Sequence, residues 1–82
     1  MNNQEIIKKM NKIFMEVLDL SALELKEETT ASDIEEWDSL NNIQLIVAIE
    51  TFFEIIFKST EIENFKNIGE MVLSINAKLK AK

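Results

Sequence analysis

Apolar residues recur at steps of three and four near the start of the chain, which is the spacing of one face of an amphipathic helix. Lysine and glutamate side chains separate them. The pattern predicts a first helix over residues 3–18. Its apolar face consists of Ile6, Ile7, Met10, Ile13, Phe14, Val17 and Leu18.

The periodicity is lost between Asp19 and Asp38, where the chain becomes rich in Ser, Thr, Asp and Glu. Connections longer than about 12 to 15 residues are uncommon in compact domains and are often functional. We therefore expect a long loop whose isolated apolar residues hold it against the core. These residues are Leu20, Leu23, Leu25 and Ile34.

Helical spacing returns at Leu40 and continues to Ile56, which predicts a second helix that is largely buried. The stripe consists of Leu40, Ile43, Ile46, Ile49, Phe53 and Ile56, and Leu45 and Phe52 widen it. Asp38 is a good N-cap for this helix, because its carboxylate can accept backbone N–H bonds at the positive end of the helix dipole.

Two shorter segments complete the chain. A short turn over residues 61–65 follows Ser59 and Thr60, either of which can cap it, and Asn67 caps a last helix. The absence of proline and the single glycine favour helices throughout. The predicted fold is all-α, a four-helix bundle of three main helices and one short helix in a single domain over residues 1–82.

The composition excludes several classes of function. The chain has neither Cys nor His, which excludes cysteine-based zinc sites, redox pairs and imidazole-assisted catalysis. We expect no metal site, because an EF-hand loop counted from Asp33 would place Trp37 at its fifth position and Asp38 where glycine is needed. The net charge of −6 has the wrong sign for binding nucleic acid.

The charge is distributed unevenly. Residues 19–63 carry a net charge of −10, whereas residues 1–18 and 64–82 carry +1 and +3. This distribution favours basic partners, which the acidic region would steer into contact. The longest apolar run is far shorter than the roughly 18 residues of a membrane span, and the first residues lack the pattern of a signal peptide. We therefore expect a soluble, cytoplasmic monomer.

The tripeptide Asp38-Ser39-Leu40 stands at the start of the second apolar helix and follows Trp37. Together with the helix order, the chain length and the acidic charge, it resembles the attachment motif of acyl carrier proteins. The segment over residues 62–70 also resembles the junction between the third and fourth helices of that family. The resemblance covers essentially the whole chain.

The resemblance implies that a phosphopantetheinyl transferase attaches the 4′-phosphopantetheine of coenzyme A to Ser39. Asp38 and Leu40 are then flanking recognition residues. The arm's thiol would hold an acyl group as a thioester, so the chain would be a phosphoprotein carrier with no catalytic activity. Ser39 also lies where helix N–H groups can meet a phosphodiester, and without His it has no base to make it a hydrolytic nucleophile.

Two further sets of residues are candidates for binding. Polar and small residues at helical spacing on the second helix predict a partner-contact stripe, whose alternative is an ordinary polar outer face. The stripe consists of Asn41, Gln44, Val47 and Glu50. An acyl chain could be sheltered in a cleft formed by Ile43, Ile46, Ile62 and Phe65, although residues of this kind are more often simply part of the core. Trp37 either packs on the loop, which we favour, or contacts the arm.

The sequence departs from fatty-acid carriers along the second helix. Those carriers usually have acids on its exposed side, whereas this chain has Asn41, Gln44 and Thr51. We therefore expect service in a specialised fatty-acid, polyketide or related biosynthetic pathway. Expected partners are the transferase, an acyl- or aminoacyl-adenylating ligase, and condensing or acyl-transferring enzymes. The alternatives are a carrier of aminoacyl or other non-fatty cargo, and an unmodified helical interaction module.

Overall fold

The computed structural model describes residues 2–81, and helices are the regular elements of this part of the chain. The four α-helices are α1 (Asn3–Leu18), α2 (Ser39–Phe53), α3 (Ser59–Asn64) and α4 (Ile68–Ala81). A single turn of 3-10 helix, Ala31–Asp33, interrupts the long loop between α1 and α2. The predicted all-α architecture of three longer helices and one short helix is therefore confirmed.

Helix α1 has the predicted bounds, and its ends show why. Asn2 accepts a hydrogen bond from the Glu5 backbone N–H at 2.9 Å, and the Glu5 carboxylate accepts one from the Asn2 N–H at 3.2 Å. This capping box satisfies two backbone donors that the helix itself leaves unpaired. The helix packs against both α2 and α4, and Ile6, Met10 and Phe14 are fully buried at its centre.

Both α1 and α2 end without glycine. Asp19 and Glu54 take the left-handed conformation at the C-caps, with φ of 56° and 55°. In each case the next residue donates its N–H back into the last turn, from Leu20 to Met15 O at 2.9 Å and from Ile55 to Glu50 O at 3.1 Å. These bonds form Schellman motifs, which redirect the chain sharply.

The prediction that the second helical stripe extends to Ile56 is wrong, because the reversal at Glu54 ends α2 at Phe53. After the reversal the chain is extended and its side chains alternate between core and solvent. Ile55 and Phe57 are buried, whereas Ile56 is 80% exposed.

The prediction that α2 is largely buried is also wrong. Leu45, Ile46 and Ile49 face the core, but the opposite side of the helix exposes apolar residues to solvent. Those exposed residues are Leu40, Ile43 and Val47, whereas the exposed Phe52 lies toward α1, where the Lys9 ammonium is 5.9 Å from its ring centroid. Helix α2 therefore has an apolar outer face as well as an apolar inner face.

Helix α3 begins earlier than predicted. Its N-cap is Lys58 and not Ser59 or Thr60, and the Glu61 carboxylate accepts the Lys58 backbone N–H at 2.8 Å. The predicted cap of the last helix is confirmed, since Asn67 Oδ1 accepts the Glu70 N–H at 2.9 Å.

The long loop is held against the core, as predicted. Leu25 and Ile34 are buried, and Leu20 and Leu23 pack against the core cluster. The start of α4 also holds the loop, because Ile68 and Gly69 donate their N–H groups to Thr29 O at 2.9 Å and Glu27 O at 2.8 Å. The absence of a side chain at Gly69 permits this approach, since a Cβ there would lie 3.1 Å from the same Glu27 oxygen.

No helix within residues 2–81 has the combination of length and apolarity that crossing a membrane requires.

Candidate functional site

Ser39 is the first residue of α2, and Asp38 fixes its position. Asp38 is extended and its Oδ1 accepts the Asn41 N–H at 2.8 Å, so the predicted N-cap is confirmed. The Ser39 side chain is exposed, and its hydroxyl forms no hydrogen bond to any residue within 2–81. An uncommitted hydroxyl is therefore held at the positive end of a 15-residue helix.

Asn41 braces the junction between the loop and α2. Its side-chain Nδ2 donates to Glu36 O at 2.8 Å while its backbone N–H binds Asp38. The amide therefore holds the loop segment that leads into the helix. The side chain of Asn41, a member of the predicted partner stripe, is therefore already engaged within the protein.

Trp37 packs and also lines the site. Its ring meets the buried Phe14 ring edge-on, with 5.0 Å between centroids and an angle of 87° between planes. Its indole Nε1 donates to Asn42 Oδ1 at 2.8 Å. Trp37 therefore packs, but against Phe14 of α1 and not on the loop as predicted, and its bond to Asn42 ties the loop to the first turn of α2.

A cavity of about 410 Å³ opens beside Ser39, between the start of α2 and the junction of α3 with α4. Ile62, Phe65 and Met71 form an apolar part of its wall, and the rest of the wall is mixed. The other lining residues are Ala31, Trp37, Asp38, Ser39, Asn42, Lys66 and Asn67. The cavity is therefore lined by Ser39 together with segments that are distant in the sequence.

The structure brings together only part of the predicted acyl-chain cleft. Ile62 and Phe65 line the cavity, and both are half-buried. Ile46 is buried in the core instead. Ile43 lies outside the cavity and is 64% exposed, because it points from the outer face of α2.

The cavity contains residues that the sequence reasoning missed. Ala31, Asn42, Asn67 and Met71 come from four different segments, and no spacing in the chain relates them. Among these residues, only Asn42 could have been expected at the site from the sequence. It directly follows Asn41 in the first turn of α2, and its spacing of four residues from Asp38 places the two on one face of the helix.

The predicted partner stripe is also divided by the structure. Gln44 and Val47 are exposed on α2. Glu50 is half-buried, and its Oε2 accepts the Phe57 N–H at 2.8 Å, which holds the extended segment after α2 in place. The exposed apolar residues Leu40 and Ile43 accompany Val47 on the same helix.

Helix α3 is fastened to α4 by a polar cluster. Glu61 accepts hydrogen bonds from Lys78 Nζ at 2.9 Å and from Ser74 Oγ at 3.2 Å, in addition to the Lys58 N–H. The pKa of Glu61 is lowered from its ordinary value of 4.5, first by the Lys58 backbone bond and then by Lys78. Because α3 carries Ile62, this cluster positions one wall of the cavity.

The acids before α2 do not form a metal site. Asp33 Oδ2 accepts the Thr30 N–H at 2.9 Å, and Asp38 is engaged in capping. Within residues 2–81 there is no group of three or more acidic side chains placed to hold a metal ion. Glu35 and Glu36 are exposed, so they contribute negative potential at the approach to Ser39.

Comparison with known proteins gives the class to which this fold and site belong. A family model described as "Phosphopantetheine attachment site" matches residues 8–75. The chain therefore belongs to the phosphopantetheine-attachment family of acyl carrier proteins. It is a carrier that bears a covalently attached 4′-phosphopantetheine, and it is not an enzyme.

The similarity to individual relatives covers nearly the whole chain. It is 32% identical over 79 residues to the acyl carrier protein of Cyanidium caldarium, covering 96% of this chain and 92% of that protein. It is 30% identical over 78 residues to the acyl carrier protein of Prochlorococcus marinus, covering 95% and 98%. The solution structure of the holo acyl carrier protein from Geobacter metallireducens superposes with a TM-score of 0.87 at 34% identity, covering 93% of this chain and 87% of that one.

The residues present fit the phosphopantetheine group. An exposed hydroxyl without a hydrogen-bond partner within residues 2–81 would suit covalent attachment, and the adjoining cavity has polar and apolar lining that would suit a chain of amides ending in a thiol. The first N–H groups of a helix have no acceptor in the preceding turn; Asp38 accepts those of Asn41 and Asn42, so those of Ser39 and Leu40 can face a phosphate. The bound group supplies the thiol that carries cargo as a thioester, which this chain cannot supply because it has no cysteine.

Proposed function

We propose that Ser39 is the attachment point and that this single domain holds acyl intermediates as thioesters for a specialised fatty-acid, polyketide or related pathway. The observation that carries the proposal is the exposed Ser39 hydroxyl at the start of α2, which has no hydrogen-bond partner within residues 2–81 and belongs to a residue that lines the cavity. Membership of a phosphopantetheine-attachment family supports the proposal independently of the geometry. Cytoplasmic localisation and a monomeric state stay predictions of the sequence.

The proposed loading step is a phosphoryl transfer on Ser39. The Oγ attacks the phosphorus of coenzyme A that bears the pantetheine, forming an O–P bond as the bond to the adenosine bisphosphate breaks. The serine proton goes to a base, and 3′,5′-adenosine bisphosphate leaves. The catalytic base and the magnesium ion belong to the phosphopantetheinyl transferase, since this chain has no His and no acid hydrogen-bonded to Ser39 Oγ within residues 2–81.

The test of the attachment point is intact mass after incubation with coenzyme A, magnesium and a promiscuous transferase. Wild type should gain the mass of one phosphopantetheine, and Ser39→Ala should gain none. Ser32→Ala is the matched control, because Ser32 is another exposed serine, located in the loop, and its loss should leave the mass gain intact. An equal gain on Ser39→Ala, or none on wild type, would refute the proposal.

The assignment to a specialised pathway is supported by the outer face of α2. Its exposed residues are apolar or uncharged, including Leu40, Gln44, Val47 and Thr51. The acid Glu50 is engaged with Phe57, and Glu54 forms the C-cap, so neither lies free along the middle of this face. We therefore propose partners that contact α2 mainly through apolar surface, with the acidic approach near Ser39 steering them.

The wall of the cavity also supports the second candidate, aminoacyl or other polar cargo. Asn42 and Asn67 line it together with the Trp37 ring, so a polar group on the cargo could form hydrogen bonds there. Loading holo-protein with an octanoyl or an alanyl group, and recording amide NMR shifts, distinguishes the two. Shifts at Ile62 and Phe65 with the octanoyl group alone favour acyl cargo, whereas shifts at Asn42 and Asn67 with the alanyl group favour aminoacyl cargo.

A further inference from the structure

The cavity beside Ser39 has one positively charged group among the described residues that line it. That residue is Lys66, located between the end of α3 and the start of α4. Lys66 belongs to the α3–α4 side of the cavity lining, whereas the acid Asp38 belongs to the start of α2. A phosphodiester on Ser39 would therefore have an acidic side and a basic side.

The backbone at Lys66 is fixed on both sides. Its own N–H donates to Glu70 Oε1 at 3.0 Å, and the next residue, Asn67, caps α4 through Glu70. The preceding residue, Phe65, packs edge-on against the buried Phe57 ring at 5.2 Å between centroids. The flexible four-carbon stem of the lysine thus extends from an anchored base.

The Lys66 ammonium has no partner within residues 2–81, unlike several other lysines of the chain. Lys78 pairs with Glu61 at 2.9 Å, and Lys26 approaches Glu24 at 3.8 Å. The acid nearest to it along α4, Glu70, has a carboxylate oxygen engaged by the Lys66 backbone and forms no ion pair with the side chain. The exposed ammonium is therefore available to an anion that enters the cavity.

We propose that Lys66 is a positioning residue that pairs with the phosphodiester of the arm and holds the arm across the cavity. The inference rests on the proposed attachment at Ser39. Asp38, which lines the cavity, and Asp33, Glu35 and Glu36 before it repel a phosphate, while Lys66 attracts it from the α3–α4 side of the lining. The arm therefore lies toward Ile62 and Phe65, and raised salt weakens this preference because the pair is exposed.

The test uses holo-protein whose loading has been verified by intact mass, and it records the ³¹P resonance of the phosphodiester. The salt series runs from about 10 mM to about 1 M, over which the Debye length falls from about 30 Å to about 3 Å. As the salt concentration rises, the ³¹P chemical shift of the wild-type phosphodiester should approach the value found in Lys66→Met. Lys66→Met should lose this salt dependence, and Lys66→Arg should restore it, since arginine also pairs with phosphate.

Lys80→Met is the control for net charge, because Lys80 is an exposed lysine in the last turn of α4 that does not line this cavity. The ³¹P resonance of the phosphodiester in Lys80→Met should match that of wild type at every salt concentration. Equal resonances for wild type and Lys66→Met at low salt, or an equal displacement by Lys80→Met, would overturn the proposal. Failure of wild type to gain mass would overturn the attachment at Ser39 as well, so the two failures are distinguishable.

Discussion

Asp38 combines two physical roles at the start of α2, and substitution can separate them. Its carboxylate caps the helix through the Asn41 N–H, and its charge interacts with the helix dipole and with any basic partner. Asp38→Ala should lower the free energy of unfolding by about 1 kcal/mol, because the cap is lost. Asp38→Asn should retain most of that stability, because an asparagine oxygen accepts the same bond.

Urea unfolding of both variants, followed by circular dichroism, measures the capping role. The same two variants should both slow modification by the transferase, if the charge of Asp38 contributes to recognition as the family resemblance implies. Equal losses of stability in the two variants would contradict the capping account.

Glu54 is a residue at which the native side chain costs stability. It takes the left-handed conformation at the C-cap of α2, where a Cβ is unfavourable and a negative charge meets the negative end of the helix dipole. Glu54→Gly should raise the free energy of unfolding by about 1 kcal/mol, because it removes both penalties. Glu54→Gln removes only the charge, so its gain in free energy of unfolding should be smaller than that of Glu54→Gly. The midpoints of urea unfolding measure both gains.

Helix α1 could be predicted to the residue because its signals agree. The apolar face is narrow, and Asn2 and Glu5 form a capping box in front of it. Helix α2 was predicted less well because it is apolar on nearly all sides, so periodicity did not identify the face that meets the core. The position of Ile43, on the outer face, follows from the packing of α2 on α1, which no local pattern in the sequence contains.

The end of α2 illustrates a second limit of sequence reasoning. Helices commonly end at glycine, but the chain keeps its single glycine for Gly69, and Glu54 makes the reversal instead. Ser39, Asp38 and Trp37 were found because they are consecutive in the chain. The cavity wall was found only in part because it is assembled by the tertiary fold from the loop, α2, the α3–α4 junction and α4.

The attachment of α3 to α4 should depend on pH through Glu61. Its pKa is lowered in the folded state by the Lys58 and Lys78 bonds, so the stability it provides is complete above its ordinary pKa of 4.5. That stability is lost as the pH falls from 4.5 through the lower pKa of the folded state, because the Glu61 carboxylate becomes protonated in this range. Glu61→Gln should be less stable than wild type at neutral pH and should have a flatter pH profile in this acidic window.

The midpoint of urea unfolding, measured from neutral pH down to acidic pH, gives both profiles. Glu63→Gln is the matched control, because Glu63 is exposed on the same short helix and its side chain makes no hydrogen bond within residues 2–81. Its profile should run parallel to that of wild type. A flattening in Glu63→Gln equal to that in Glu61→Gln would show that the effect is general and not due to the polar cluster.

The molecule as a whole has an exposed apolar stripe on α2 beside an acidic approach to Ser39. The stripe consists of Leu40, Ile43 and Val47, which are 67%, 64% and 55% exposed. Val47→Asp should weaken binding to a partner enzyme on the order of ten-fold, which corresponds to about 1.4 kcal/mol. Stability should change little, because the side chain is outside the core.

Leu73→Asp is the control for this prediction, since Leu73 is 62% exposed on α4 and lies apart from the α2 stripe. Its effect on the dissociation constant for the transferase, measured by calorimetry, should be small. The association rate of wild type should also fall with salt, as acidic steering requires. An equal loss of binding in Leu73→Asp would show that the stripe on α2 is not the contact surface.

The location of Trp37 has a practical consequence. It is the only tryptophan of the chain, it is half-exposed, and its ring forms part of the wall beside Ser39. An arm or a cargo that enters the cavity replaces water at the indole. Tryptophan emission responds to this change in the surroundings of the ring. The unlabelled protein therefore contains its own optical reporter, and we expect loading, acylation and discharge to be followed in real time at one fixed point of the fold.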